Sequence, residues 1–93
     1  MVIMEEVWKH LEENYYISNF GNVTNRSSNR NLKPIKCNEY KSKVTLTLEN
    51  NSRKKDIFIL TEVARKFISE SFNRVYRIDK DVFNNRVDNI IVC

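Results

Sequence analysis

The residues whose types and spacing could do chemistry lie near the end of the chain. From Val75 to Asn89 it reads Val-Tyr-Arg-Ile-Asp-Lys-Asp-Val-Phe-Asn-Asn-Arg-Val-Asp-Asn, which brings Asp79, Asp81 and Asp88 into one short stretch. Clustered carboxylates can bind Mg²⁺. The same acids can equally serve as ion partners for Arg77, Lys80 or Arg86, and both readings stand at this point. His10, preceded by Trp8-Lys9, is the single imidazole. It is expected on a strand or turn as an ordinary surface group, and only folding could bring it to a reacting proton. No nucleophile–base pair, glycine-rich phosphate loop or cofactor motif appears, so no cofactor is expected. Cys37 and Cys93 lie far apart, and with one His they cannot make a set of four zinc ligands, which leaves two free thiols.

Sixteen Lys and Arg against 12 Asp and Glu give a formal charge of +4, which favours an anionic partner without identifying it. The distribution says more. Arg26, Arg30, Lys33, Lys36, Lys41 and Lys43 fall in one stretch opposed only by Glu39, whereas the N-terminal segment carries Glu5, Glu6, Glu12 and Glu13. A one-sided basic stretch rich in Asn and Ser suits phosphate-backbone contact, because Lys and Arg displace condensed counterions and amides donate to phosphate oxygens. A solvated loop that maintains solubility would look the same.

Ninety-three residues suggest one domain spanning 1–93, with a modest core built from 41% hydrophobic residues. Gly and Pro occur once each, and neither a linker nor a repeat stands out. No run approaches the roughly 18 apolar residues of a membrane span. Glu5 and Glu6 argue against a signal peptide, so an intracellular protein without a membrane partner is expected.

The elements that must position these residues read as follows. Trp8 is expected as a core or rim anchor. Tyr15 to Ser18 and Val23-Thr24 are β-prone and flank Gly21, which predicts a tight hairpin with glycine at its turn. Asn25 to Asn31 should be an exposed loop, and Leu32 to Lys36, interrupted by Pro34, an edge strand. Val44, Leu46 and Leu48 alternate with Thr45 and Thr47, the period of a half-buried strand. After a turn at Glu49 to Ser52, Asp56 to Leu60 is expected as a returning strand covered by a helix. In that helix Leu60, Val63, Ala64, Phe67 and Ile68 form the apolar stripe, Thr61 is the expected N-cap, Glu62 suits the first turn, and Asn73 the end. Arg65 and Lys66 lie off the stripe.

Taken together, Val75 to Asn89 resembles the core of the HNH homing endonucleases, whose pattern runs roughly Val-Asn-His-Ile-Asp-Gly-Asn, two variable residues, then Asn-Asn-Arg-Val-Asp-Asn-Leu. Upstream, Trp8 followed by Tyr16-Ile17-Ser18-Asn19-Phe20-Gly21-Asn22-Val23 is similar to the NUMOD type of nuclease-associated modular DNA-binding motif, with Leu32-Lys33-Pro34 downstream. The resemblance implies an α+β fold of small antiparallel β-hairpins with one packed helix. It also implies a NUMOD-like half at about 5–36 and a degenerate HNH-like half at about 40–93, of the phage or large-DNA-virus type. The expected place is then the cytoplasm or nucleus of a host cell.

In that family a His on the first strand deprotonates water and one divalent metal clamps the scissile phosphate. Here Arg77 stands at the position of the His, and a guanidinium cannot accept a proton. Tyr76 stands at the preceding metal ligand, and a phenol is a poor Mg²⁺ ligand. The helix carrying the remaining ligand is expected to be missing beyond Asn89. The resemblance therefore implies no catalytic residue, no metal and no enzyme activity, with Tyr76, Arg77 and Asn89 as degenerate HNH positions. DNA is the implied partner, bound by Arg26, Arg30, Lys33, Lys36, Lys41, Lys43, Arg77 and Arg86. Two other readings remain open: a protein-interaction factor anchored by Tyr15, Tyr40, Phe72 or Phe83, and an active nuclease using the displaced aspartates.

Overall fold

The alternation at Val44, Leu46 and Leu48 becomes the inner face of the longest strand, where all three side chains are buried together with Ser42. The computed structural model describes residues 5–49 and 52–93. Within them β1 (Trp8–Glu12), β2 (Tyr15–Ser18), β3 (Val23–Asn25) and β4 (Arg30–Asn31) form a four-stranded sheet in chain order. The strands β5 (Ile35–Lys36), β6 (Ser42–Leu48) and β7 (Arg53–Phe58) form a second sheet, also in chain order. A helix, α1 (Ile59–Phe67), follows directly, and β8 (Val75–Arg77) with β9 (Ile90–Val92) makes a final hairpin entered through a 3-10 turn at Val87–Asn89. All pairings are antiparallel, the expected α+β arrangement of hairpins around one helix.

One cluster of buried side chains draws on every layer. Tyr15, Ile17 and Val23 come from the first sheet, Val44, Leu46, Leu48 and Ile57 from the second, Ile59, Leu60, Val63 and Ala64 from α1, and Ile90 from β9. Each large aliphatic group so buried contributes roughly 1.5–3 kcal/mol of transfer free energy. Tyr15 is among them, so it is not the exposed anchor that sequence allowed. Its hydroxyl accepts from Thr47 N at 3.0 Å and donates to Thr47 O at 3.2 Å, stitching the first sheet to the second. Phe72 is partly buried against the same core. Trp8 is half-buried on β1, and His10 is exposed there as expected.

The helix is displaced from its expected bounds. Ile59 and Leu60 belong to its first turn rather than to β7, because both are buried and an extended strand would turn one of them to solvent. Phe58, in extended conformation, occupies the N-cap, so Thr61 lies inside the helix and no side chain caps that end. Glu62 does sit in the first turn. The other end closes at Phe67, well before Asn73, where the Ile68 and Ser69 amides both donate to Ala64 O at 3.0 Å. Lys9 reaches across from β1 to donate from Nζ to Lys66 O at 2.6 Å, which places a cation at the negative pole of the helix. The expected edge strand over Leu32 to Lys36 shortens to β5, and the exposed loop Asn25 to Asn31 includes the ends of β3 and β4. Of the expected turn at Glu49 to Ser52, Glu49 and Ser52 are turn residues, while Asn50 and Asn51 lie outside the described residues.

The β2–β3 turn meets the β8–β9 loop at Gly21. Its φ of +81° is the left-handed region, and a Cβ there would lie 2.7 Å from Asn85 Cβ and 2.8 Å from Asn85 O. Beside it Val87 N donates to Asn19 O at 2.8 Å, and the Arg86 guanidinium lies 4.3 Å from the Phe20 ring centroid. Gly21→Ala combines an unfavourable φ with a clash against backbone, and should cost at least about 2 kcal/mol. A thermal melt is the check: a drop of roughly 8 °C or more is expected, and an unchanged midpoint would refute the account.

Candidate nucleic-acid interface

The loop from Ile78 to Arg86 is built from amides and carboxylates that satisfy one another. Asp79 accepts from Asn84 Nδ2 at 2.6 Å, Asn89 Nδ2 at 2.8 Å and Asp81 N at 2.9 Å. Its own amide donates to Asn89 Oδ1 at 3.1 Å, and Asn89 Nδ2 also donates to Asn84 O at 3.0 Å. Both carboxylate oxygens are therefore occupied. The Asp81 amide, then the Asn84 and Asn89 side chains, hold the Asp79 carboxyl below its ordinary value, because each favours the charged form. Asp81 Oδ1 accepts from Phe83 N at 3.0 Å, and Asp88 pairs with Arg86 at 3.3 Å. Among the described residues no three acidic, His or Cys side chains gather into a metal-holding group. Cys37 and Cys93 are free and exposed.

Below this loop Asn85 is buried, and its Nδ2 donates to Ser42 Oγ at 3.1 Å while Ser42 Oγ donates to Val82 O at 2.8 Å. Its Oδ1 accepts from Arg77 Nη2, and Arg77 Nη1 donates to Tyr40 O. Arg77 thus turns its guanidinium inward and spends two nitrogens on the fold; its Nε is buried without a partner. Burial lowers the pKa of this guanidinium, with Asp79 and Asp81 opposing, and it remains protonated at neutral pH. Tyr76, its neighbour, projects to the outer face of the hairpin opposite Ile91, and its hydroxyl accepts from Arg74 Nη1 at 3.3 Å. The divalent metal implied by the HNH resemblance does not fit this donor set. At the two positions where the resemblance implies a carboxylate or amide and an imidazole stand a phenol and a guanidinium, and three of the roughly four acceptor sites of Asp79 already take hydrogen bonds.

The other basic residues separate into two groups. Arg26, Arg30, Lys33 and Lys36 are exposed along the segment from the β3–β4 turn to β5, with Arg26 stacked 3.9 Å from the Tyr16 ring centroid. Lys41 is exposed and lies 5.1 Å from the Phe58 ring centroid. Lys43 instead pairs with Asp56 at 2.7 Å, and that hydrogen bond raises the lysine's pKa and lowers the carboxyl's. Arg86 is held by Asp88 and Phe20. The charge count overlooked Arg53-Lys54-Lys55 on β7. Lys55 pairs with Glu12 at 2.8 Å, while Arg53 and Lys54 are exposed without an ion pair among the described residues. Three consecutive cations after a turn were the available signal. Nothing in the sequence singles out Asn85, because its burial depends on where Gly21 docks.

The Asp79 network has a consequence in acid. A carboxyl whose folded pKa lies below its unfolded value of about 3.9 adds stability that is complete above that pH and is lost as pH falls through the folded value. Asp79→Asn should therefore lower stability at pH 7 and reduce its further loss as pH falls below about 4. Urea titrations of both proteins across that range give the comparison, and parallel pH profiles would refute the assignment.

Comparison with family models and with curated proteins finds no match. Among solved structures, one of the HNH homing endonuclease I-HmuI, concerned with its DNA binding and cleavage, aligns with a TM-score of 0.74 at 26% identity. The alignment covers 94% of this chain and 51% of the I-HmuI chain, so the protein spans about half the length of that relative. Its antiparallel hairpins and single packed helix make a small α+β fold like that of an HNH homing endonuclease.

Proposed function

We propose that this protein is a non-catalytic DNA-binding module derived from an HNH homing endonuclease, with a NUMOD-like N-terminal segment and a phage or large-virus ancestry. The reading is supported by an HNH-like fold together with Arg77 and Tyr76 at the positions where the sequence resemblance puts the base and the metal ligand. A guanidinium committed to Asn85 and Tyr40 cannot take a proton from water, while its charge still favours a nearby phosphate. Backbone contact falls to the exposed cations Arg26, Arg30, Lys33, Lys36 and Lys41. Lys43 and Arg86 add charge but must loosen an ion pair to donate directly.

A protein-interaction role is the second reading. Tyr40 and Phe83 are its support, as large side chains left on the surface. One stoichiometric protein partner co-purifying with a chain that has no DNA affinity would favour it.

A salt series on a short duplex tests the first reading, with a plasmid-nicking control in Mg²⁺ and Mn²⁺. Micromolar binding at low salt is expected, without nicking. Replacing Arg26, Arg30, Lys33 and Lys36 together by Ala should flatten the slope of log K against log salt by roughly 3–4, about 0.9 per phosphate contact. No binding at micromolar protein would end the DNA reading. Nicking that disappears on mutating Asp79 or Asp88 would make the protein a nuclease.

A further inference from the structure

Between β8, the start of α1 and the Glu39-Tyr40 segment lies a cleft that backbone contact leaves unused. Leu60 and Val75 line it, Tyr40 and Tyr76 form aromatic walls, and Arg77 and Lys80 supply positive charge against the single carboxylate of Glu39. Tyr40 is 74% exposed and Tyr76 46%, and the two rings do not stack on one another. Arg77 holds the Tyr40 carbonyl, and Arg74 donates to the Tyr76 hydroxyl at 3.3 Å.

Lys80 gives a second, independent indication. Its φ is +62°, a left-handed conformation in which glycine is the unstrained residue. A lysine held there keeps a cation at the cleft where local conformation alone would favour losing it.

We propose that this cleft takes one unpaired nucleobase, stacked on Tyr76 and Tyr40, with the adjoining phosphate on Lys80. The inference rests on the nucleic-acid reading above and names the form of DNA that the site prefers. A tyrosine can offer a phosphate only its hydroxyl, whereas its ring face suits a base, and a base paired within a duplex has both faces covered by its neighbours. An extruded or single-stranded base presents a free π-face, and stacking on aromatic side chains is tolerant of base identity. The cationic rim suits the phosphate that accompanies such a base. Ile78 and Ile91 are exposed too but are not among the residues lining the cleft, so the apolar patch that a helix or a second copy would seek lies outside it.

The test compares a fully paired duplex with the same duplex carrying one unpaired 2-aminopurine, at low salt and without metal. The bulged duplex should bind about tenfold tighter, with quenching of the 2-aminopurine fluorescence. Tyr76→Ala should bring the ratio of affinities near one. Lys80→Gly should weaken bulge binding while the melting temperature stays level or rises, which separates the effect from misfolding. Equal affinity for both duplexes in the unaltered protein overturns the inference and leaves the nucleic-acid reading standing; no binding to either removes both. A preference that survives Tyr76→Ala also overturns it, as does concentration-dependent dimerisation abolished by Ile91→Ser, which would assign the face to a second copy.

Discussion

A buried amide with no slack around it governs the arrangement. Asn85 has to satisfy its own oxygen and nitrogen away from water. It does so with Arg77 on one side and Ser42 on the other, while the backbone of the β2–β3 turn rests on its Cβ and carbonyl. Leaving a buried polar group unpaired costs roughly 1–3 kcal/mol, and more when a charge is involved. The three elements that meet there, β6, the β8–β9 loop and the first sheet's turn, are therefore held in a single mutual position. Arg77 is drawn inward by the same requirement. A side chain that sequence presents as a free cation becomes an internal tie to Tyr40 and Asn85.

That tie shows how this HNH-like fold is held together with a guanidinium at position 77. The Asp79, Asn84 and Asn89 network and the Asn85 junction are complete within themselves, and neither needs a metal to satisfy its oxygens. The loop shape is thus maintained by amide–carboxylate hydrogen bonds. Positions 76 and 77 are left to take residues chosen for packing, charge or an aromatic surface.

Much of this was legible in the sequence wherever local pattern and burial agree. The alternation through Val44, Leu46 and Leu48 placed β6, and the lone Gly21 marked its turn. The helix start was not legible, because Ile57 to Leu60 is apolar throughout and both periods fit such a run; burial of Ile59 and Leu60 decides between them. The engagement of the cations was hidden for another reason. Lys43 meets Asp56 only through the register of β6 on β7, which sets Thr45 opposite Asp56 and Lys43 on the diagonal. Tyr15 could not be placed from sequence, because its apolar ring and polar tip suit surface and core alike until Thr47 is seen to satisfy the hydroxyl.

The meeting of Gly21 with Asn85 also bears on how the protein is made. The two residues are roughly sixty positions apart, so at ordinary elongation rates the glycine turn is synthesised on the order of several seconds before its partner. During that interval the nascent chain carries a β2–β3 hairpin whose docking surface does not yet exist. Native topology can close only once the last strands have left the ribosome. Emergence of β8 and β9 is what gives the early hairpin its docking surface.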